Sequence, residues 1–368
     1  MQLSVKHGWR SSAASGYLRP ALRRPNLTVL TGAVAQRVLI RDRVATGVAW
    51  VEGGAKRTAE ASREVIVAAG GMRSPALLER SGVGQRRRLE TLGIDVVADR
   101  AEVGENLQDH FMPRLCFETT EPGTVNNLFN SRLTQLAHAW RFLVSRRGLF
   151  GDSLLRATAY VRSDRQQELP DLRLQVGLMS AEGRIPKADP RGTTAAARHG
   201  LDPRSSFHVG VYGIYPQARG SVHVRRADAV TPLAVQPNYL GTQADRQALI
   251  SGLRIIYALA KRPALAGLIN REIRPGLGAA SDAEILDFAQ RTGHTCWHPT
   301  GTCRMGDDPA AVVDPDCRVR GVERLRVIDA SVFPVIVSSD TNAPVLMLAE
   351  AMAERIRGGP PAPRTPDA

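Results

Sequence analysis

The stretch EVIVAAGGMRSPALLERSG, residues 64–82, decides the fold class. Its first part is continuously apolar after one glutamate, which is typical of a strand that is covered on both faces of a sheet. Gly70-Gly71 forms a turn, and a helix is predicted next, with Ser74 as N-cap, Pro75 in the first position and an end at Ser81-Gly82. This unit favours phosphate binding, although any open α/β sheet contains several like it.

The flanking regions predict further strands and helices. Short strands rich in valine, isoleucine and threonine are expected at 27–30, 36–41 and 44–51, and a Gly53-Gly54 turn precedes the strand at 63–69. Beyond residue 114, alternating strands and helices predict a second, α+β layer. The strands are expected at 173–178, 208–214 and 221–224, the helices at 133–143 and 244–259, and surface loops at 180–205.

Residues suited to chemistry are concentrated after residue 294. His298 lies in the loop WHPTGT, and the proline that follows it favours an extended conformation. A lone loop histidine more often has a structural hydrogen bond than a catalytic role. However, an apolar strand at 325–329 ends in Asp329, and strand ends are the usual ligand positions in open sheets. A capped helix is expected to begin near Thr341, with Asn342 beside its free amides.

Composition indicates a globular chain. It has 368 residues, 43% of them apolar and 23% charged, and no stretch approaches the roughly 18 consecutive apolar residues of a membrane span. At about 150 residues per domain, this length predicts two domains. The four cysteines form neither a CxxC pair nor a zinc-finger pattern with histidine, so neither a disulfide framework nor a metal site is expected.

The formal net charge of +13 raises the question of nucleic-acid binding. Arginines supply most of this charge, since only four of the 49 cationic residues are lysines, and they are scattered along the chain. Aromatic residues, which stack on bases, make up only 5%, so nucleic-acid binding is not expected. The N-terminus lacks the apolar core and cleavage site of a secretory signal, so a cytoplasmic location is expected by default.

Several long motifs, in the same order, resemble the glucose-methanol-choline (GMC) oxidoreductases, with choline and aliphatic alcohol dehydrogenases as the most similar branch. The resemblance covers nearly the whole chain. It rests on GGMRSPALLERSGVG at 70–84, which resembles the family's second signature with Gly71 where alanine is more usual, and on VGENLQDH at 103–110, HPTGTCRMG at 298–306, VIDAS at 327–331 and NAP at 342–344.

The resemblance implies a fold and an activity. The fold is α/β plus α+β: an incomplete FAD-binding, Rossmann-like domain at 1–113 and 297–358, an inserted antiparallel-sheet substrate domain at 114–296, and a disordered tail at 359–368. The activity is FAD-dependent oxidation of a primary alcohol to an aldehyde. His298 matches the family's catalytic base, and Asn342 matches its partner, which would hydrogen-bond the forming alkoxide.

The same resemblance implies which residues contact the cofactor. They are Ala35, which would meet the adenine through its backbone, Gly70 and Ser74 near the cofactor, Asp329 and Ala330 at the ribityl-phosphate stem, and Val345. His110 is expected to pack beneath the cofactor, and His294 is expected to be structural. The other expected partners are an alcohol substrate, an electron acceptor such as a quinone, and a second copy of the chain.

One departure from the family pattern concerns the first strand, phosphate turn and first helix of the FAD domain. No G-x-G-x-x-G follows a strand near the start, and HGWRSS at 7–12 resembles the middle of a full-length member. Without that turn the FAD pyrophosphate lacks a backbone-amide site, and the sheet exposes unpaired edges. One alternative is therefore an inactive or split fragment that needs a separate N-terminal FAD-binding piece. A cyanohydrin-cleaving lyase of the same family is a less favoured alternative.

Overall fold

The fold is described from a computed structural model that defines residues 4–130, 132–148, 150–151, 155–180, 204–274 and 280–358. The strands are β1 (Val5–Lys6), β2 (Trp9–Arg10), β3 (Ala33–Arg41), β4 (Val44–Glu52), β5 (Ala55–Glu60), β6 (Val65–Val67), β7 (Val83–Gly84), β8 (Ala98–Asp99), β9 (Phe111–Met112), β10 (Arg114–Glu118), β11 (Leu155–Val161), β12 (Leu172–Gly177), β13 (Ser206–Gly213), β14 (Ser221–His223), β15 (Ala234–Gln236), β16 (Arg271–Arg274), β17 (His294–Thr295) and β18 (Leu325–Val327).

The helices vary widely in length. They are α1 (Arg19–Ala21), α2 (Gly70–Arg80), α3 (Arg86–Thr91), α4 (Val125–Asn130), α5 (Arg132–Ser145), α6 (Gln243–Ala260), α7 (Pro263–Ala266), α8 (Asp282–Thr292) and α9 (Asn342–Ile356), with a π-helical turn at Ala14–Leu18 and a 3-10 turn at Ala330–Val332. No helix in the described ranges is both long enough and apolar enough to cross a bilayer.

The chain divides into two compact units. The first unit comprises Met1–Leu27, Phe111–Ile214 and Gln243–Thr295, and the second comprises Thr28–His110, Tyr215–Thr242 and Cys296–Ala368. Residues 215–242 belong to the second unit because Leu107 and Gly220 exchange two backbone hydrogen bonds, each of 2.9 Å. The assignment of the units as FAD-binding and substrate-binding domains stays a prediction, and the predicted tail at 359–368 lies outside the described residues.

The first unit is built on an antiparallel sheet with the strand order β11-β12-β13-β10-β16. Helix α6 packs on this sheet through Leu249, Leu253 and Ile256, which lie on one helical face. A methyl group at Gly252 would come within 2.7 Å of the Val211 side chain, so glycine lets the helix approach β13 closely. The predicted strands in β12 and β13 and the predicted helices in α5 and α6 are confirmed. The predicted loop at 180–205 lies mostly outside the described residues.

A buried histidine should make the first unit sensitive to acid. Burial and the nearby Arg114 guanidinium lower the pKa of His208 to about 4, and its Nδ1 donates to the Met179 carbonyl at 2.7 Å. The unfolded chain therefore binds a proton that the folded chain excludes between about pH 6.5 and about pH 4. We expect His208 to contribute a fall of about 3 kcal/mol in the free energy of unfolding over that window, measured by urea denaturation. Burial also lowers the pKa of His294, to about 3, so His208→Asn should reduce the pH dependence without removing it. An unchanged slope would contradict the contribution of His208.

The second unit combines four small sheets in the described residues. Strands β3, β4 and β5 form an antiparallel meander, and β6 pairs in parallel with β18, with Val65 opposite Leu325 and Val67 opposite Val327. Strands β7 and β8 pair in parallel, and β14 and β15 pair antiparallel. The buried core beneath these sheets contains Val38, Ala45, Leu77, Leu78, Val103, Cys303, Val313, Val332, Leu348 and Met352. The predicted strands within β3 and β4 and the Gly53-Gly54 turn are confirmed.

The strand predictions before residue 70 need correction in three places. Residues 27–30 form no strand, because they have no regular secondary structure and join no sheet among the described residues. Strand β5 was not predicted, because all six of its residues are exposed and show no apolar alternation. Strand β6 is not covered on both faces: Ile66 is 46% exposed, and in the described residues β6 pairs only with β18.

Candidate active site

The carboxyl ends of β6 and β18 lie side by side because the two strands are parallel. Asp329, just after β18, accepts hydrogen bonds through Oδ2 from the Gly70 amide at 2.8 Å and the Ser74 hydroxyl at 2.5 Å. Its Oδ1 accepts from the Ser331 amide at 2.8 Å. The structure therefore brings Gly70, Ser74 and Asp329 together, and a buried carboxylate organises both strand ends. Their contact with a cofactor stays a prediction.

Helix α2 begins five residues earlier than predicted. Its N-cap is Ala69, so Ser74 lies inside the helix, where its hydroxyl accepts from the Ala69 amide at 3.0 Å. Pro75 lacks the amide that would bond the Gly71 carbonyl. The Thr302 hydroxyl donates to that carbonyl at 2.6 Å instead. The prediction failed because the partners that permit this start are more than 200 positions away in the sequence. The predicted helix end is confirmed, with Ser81 as C-cap.

Gly71 is where helix α2 meets the loop that carries His298. A methyl group at Gly71 would lie 2.2 Å from the Pro299 carbonyl oxygen, so a side chain requires the backbone to shift. We expect Gly71→Ala to lower the free energy of unfolding by about 1–2 kcal/mol, because the steric cost exceeds the roughly 1 kcal/mol gained from helix propensity. Chemical denaturation measures the change. Increased stability would mean that the loop moves away at little cost.

His298 lies in an irregular stretch of paired backbone. Gln108 and Thr300 exchange backbone hydrogen bonds of 3.0 and 2.9 Å, and the Cys296 amide donates to the His110 carbonyl at 2.9 Å. Three residues between Cys296 and Thr300 therefore face a single residue between Gln108 and His110. Trp297 takes up the excess length with a φ of 60° and a side chain that is 71% exposed. The next residue, His298, is only 9% exposed.

Asp109 is the residue opposite this bulge. Its side chain supplies the hydrogen-bond acceptor for the His298 amide, which has no backbone carbonyl opposite it in the ladder. Its Oδ1 accepts the His298 amide at 2.9 Å, and its Oδ2 accepts a hydrogen bond from the Tyr239 hydroxyl. The carboxylate is 8% exposed, so both bonds form away from bulk water. The backbone of His298 is therefore held by a buried charged acceptor.

Each ring nitrogen of His298 has a neighbour in the second unit. Its Nδ1 is 3.0 Å from Nδ1 of His110, and the two rings are nearly perpendicular at 88°. Its Nε2 is 3.4 Å from Oδ1 of Asp340. His110 was expected to pack beneath the cofactor, and the structure places it against His298. That contact with the predicted catalytic histidine was not anticipated.

Asp340 precedes helix α9, so His298 contacts the segment that leads into this helix. Helix α9 begins at Asn342 as predicted, but the expected side-chain cap is wrong: Thr341 is the N-cap and makes no side-chain capping bond. The Thr341 side chain therefore does not cap the first amides of the helix, and Asn342, its first residue, is exposed. The Val345 amide bonds the Thr341 carbonyl at 3.1 Å. The position of the Asn342 carboxamide relative to His298 stays a prediction.

The other residues predicted to contact the cofactor are Ala330, just after β18, Ala35 on β3 and Val345 in α9. Ala330 accepts a hydrogen bond from the Gly301 amide at 3.3 Å, which connects the end of β18 to the loop of His298. Ala35 is half-buried on β3, opposite Trp50 and beside a β-bulge. Ala35 and Val345 make no hydrogen bond to the Asp329 cluster in the described residues. Within those residues no group of three histidine, cysteine or acidic side chains is arranged to hold a metal ion.

Comparisons with known proteins match both ends of the chain to one family. Models described as GMC oxidoreductase match residues 1–112 and residues 216–349. An oxygen-dependent choline dehydrogenase of Pseudomonas entomophila is 36% identical over 366 residues, which are 98% of this chain and 62% of that protein. An alcohol dehydrogenase [acceptor] of Pseudomonas putida is 34% identical over 358 residues, with 96% and 62% covered. The chain thus spans about three fifths of these relatives.

Solved structures agree with the sequence comparison. Pyridoxine 4-oxidase from Mesorbium loti has a TM-score of 0.80 at 28% identity, covering 97% of this chain and 63% of that one. A formate oxidase variant from Aspergillus oryzae RIB40, solved for the effect of mutation on FAD modification, has a TM-score of 0.85 at 26% identity, covering 96% and 64%. With matching family models, curated relatives and solved folds, the chain belongs to the GMC oxidoreductase family.

Proposed function

We propose that this chain takes part in the FAD-dependent oxidation of a primary alcohol to an aldehyde. The observation that carries the proposal is the environment of His298. Its imidazole is buried, and its backbone amide is held by Asp109. Its Nε2 faces Asp340, in the segment before helix α9, whose N-cap Thr341 makes no side-chain cap. The names of the choline and alcohol dehydrogenase relatives support the substrate class. Because the chain covers 62% of those relatives, the activity of the whole protein is part of the proposal.

The residues present fit a flavin cofactor. At the strand ends, Gly70 has a φ of +81°, and a methyl group there would meet no atom within 4 Å, so this turn borders open space. The start of α9, where Thr341 makes no side-chain cap, presents the partial positive charge of a helix N-terminus to an anionic group. We propose that FAD is held by Ala35, Gly70, Ser74, Asp329, Ala330 and Val345. When bound, FAD supplies the acceptor for the hydride of the alcohol carbon.

Two side chains have proposed roles in proton handling. His298 takes the hydroxyl proton of the alcohol at Nε2, a role suited to an imidazole near neutral pH. Asn342 donates a hydrogen bond to the alkoxide oxygen as negative charge forms there. Asp340, 3.4 Å from Nε2, then faces the resulting imidazolium with its carboxylate. The same proposal includes an electron acceptor, such as a quinone, that reoxidises the reduced flavin. It also includes a cytoplasmic location.

The test starts with the purified chain and added FAD. After gel filtration, we expect retained flavin absorbance, and anaerobic addition of a primary alcohol, with choline among those tried, should bleach it. A tertiary alcohol, which has no hydride to give, is the negative control. Retention of flavin without bleaching by any primary alcohol would contradict the proposed reaction. Retention only after mixing with the N-terminal segment of a choline dehydrogenase would support the split-fragment alternative.

A further inference from the structure

We infer that His110 is a positioning residue that keeps His298 in the tautomer with its proton on Nδ1 and the lone pair on Nε2. This inference rests on the proposed function, because that function assigns the proton-accepting role to His298 Nε2. The observation behind it is the 3.0 Å separation of the two Nδ1 atoms, which is an ordinary hydrogen-bond distance.

A hydrogen bond between two imidazole nitrogens requires one donor and one acceptor. Two protonated Nδ1 atoms at 3.0 Å would repel, and two lone pairs would leave buried acceptors facing each other. His110 is fully buried, at 0% exposure, so its neutral form is favoured over an imidazolium. The two Nδ1 atoms therefore share one proton. The ring that donates it has a lone pair at Nε2, and the ring that accepts it has its own proton at Nε2.

The two orientations of this bond differ in what they allow His298 to do. If His298 Nδ1 donates to His110, Nε2 of His298 holds a lone pair and accepts the alcohol proton. If His110 donates instead, neutral His298 carries its proton on Nε2, and that atom cannot act as a base. Only the first orientation is the same before and after proton transfer, because the Nδ1–H bond persists in the imidazolium.

Asp340 is the group that would favour the opposite tautomer. Its Oδ1 lies 3.4 Å from His298 Nε2, beyond the usual range for a charge-assisted hydrogen bond, and its side chain is 54% exposed. Because the Asp340 side chain is more than half exposed, water screens its attraction for Nε2. The bond to His110 is shorter and forms between two buried rings, so it sets the resting tautomer, and Asp340 acts on the imidazolium.

The chain arrangement explains how His110 reaches this position. Asp109 holds the His298 amide, and the next residue, His110, meets the His298 ring, so one dipeptide fixes both the backbone and the side chain. The His110 carbonyl also accepts the Cys296 amide. These three bonds leave little freedom for the two rings to move apart.

Nitrogen NMR of isotope-labelled histidine in the full chain tests the inference without any turnover. At neutral pH we expect His298 to show a protonated Nδ1 and an unprotonated Nε2, His110 to show the reverse, and a coupling to connect the two Nδ1 nuclei across the hydrogen bond. His298→Ala and His110→Gln assign the signals. A His298 proton on Nε2, or a doubly protonated His110, would overturn the inference even if the chain oxidises alcohols.

Variants of His110 connect the tautomer to catalysis. His110→Leu removes the acceptor and should lower kcat on the order of 10²–10⁴-fold with little change in KM, whereas His110→Gln, whose amide oxygen can accept from Nδ1, should recover much of the loss. His223→Gln is the matched control, since it removes another buried histidine, bound to Glu79 at 2.8 Å, and should leave the His298 tautomer unchanged. Equal losses of kcat in the leucine and glutamine variants would contradict the positioning role. If the wild-type chain shows the expected tautomers but no alcohol oxidation, only the proposed function fails.

Discussion

Replacing His298 with alanine should lower kcat/KM for a primary alcohol on the order of 10²–10⁴-fold while FAD binding is retained. The reason is that the buried imidazole of His298 is the base of the proposed reaction. The hydrogen bond between the backbone amide of residue 298 and Asp109 does not involve the imidazole, so it survives the substitution. The loss should therefore fall on chemistry, measured by anaerobic stopped-flow reduction of the flavin across a pH range.

Rescue by an added base separates a lost base from a damaged fold. His298→Ala should recover part of the rate when imidazole is added, because free imidazole can accept the alcohol proton in place of the missing side chain. His138→Ala, on helix α5 in the first unit, is the matched control and should leave the rate and its pH dependence unchanged. A His298→Ala protein with wild-type reduction rates would exclude this residue as the base.

Much of the fold follows from local patterns in the sequence. The strands expected at 173–178 and 208–214, the helix expected at 244–259 and the Gly53-Gly54 turn were predicted from short segments of sequence, and the structure confirms them as β12, β13, α6 and the turn before β5. Strand β5 has no such signal: every residue is exposed, and its only support is the ladder to β4. Pairing of that kind depends on the partner strand and cannot be inferred from six residues alone.

The site was predicted less completely than the fold. Motif resemblance pointed to His298, Gly70, Ser74 and Asp329, and the last three do meet. It did not indicate that His110 contacts His298, because 188 residues separate them and a bulge at Trp297 sets the register. The sequence signal that was available is the adjacent pair Asp109-His110, a carboxylate and an imidazole in one motif. Two adjacent side chains that can both hydrogen-bond suggest that they hold one common residue, which the structure shows to be His298.

The exposure of Ile66 could not be predicted from the local sequence. A run of apolar residues indicates that a strand is suited to burial on both faces, and Val65 and Val67 are indeed buried. Whether the other face is covered depends on which helices or sheets pack over it, and the three residues of β6 carry no signal for that. Ile66, in the middle of β6, is 46% exposed, so the face on which it lies is not fully covered in the described residues.

Asp329→Ala is expected to have the largest effect on stability, lowering the free energy of unfolding by about 4 kcal/mol. The substitution removes the acceptor of three donors: the amides of Gly70 and Ser331 and the hydroxyl of Ser74. Hydrogen bonds to a charged group contribute about 1.5–3 kcal/mol each, and buried donors left without a partner add to the loss. Since these bonds are not additive, the expected total is below their sum. Urea denaturation followed by circular dichroism measures it.

Two further variants show whether the loss arises from this cluster. Ser74→Ala removes one of the three donors and should cost about 1–2 kcal/mol, because the carboxylate keeps both amides. Asp287→Ala removes an exposed carboxylate that pairs with Arg291 one helical turn away, and should change stability by less than about 1 kcal/mol. Asp329→Ala should also weaken FAD retention, since the turn at Gly70 loses its anchor. If Asp329→Ala is no more costly than Asp287→Ala, the carboxylate does not organise the two strand ends, and both the start of α2 and the proposed cofactor contacts at Gly70 need another cause.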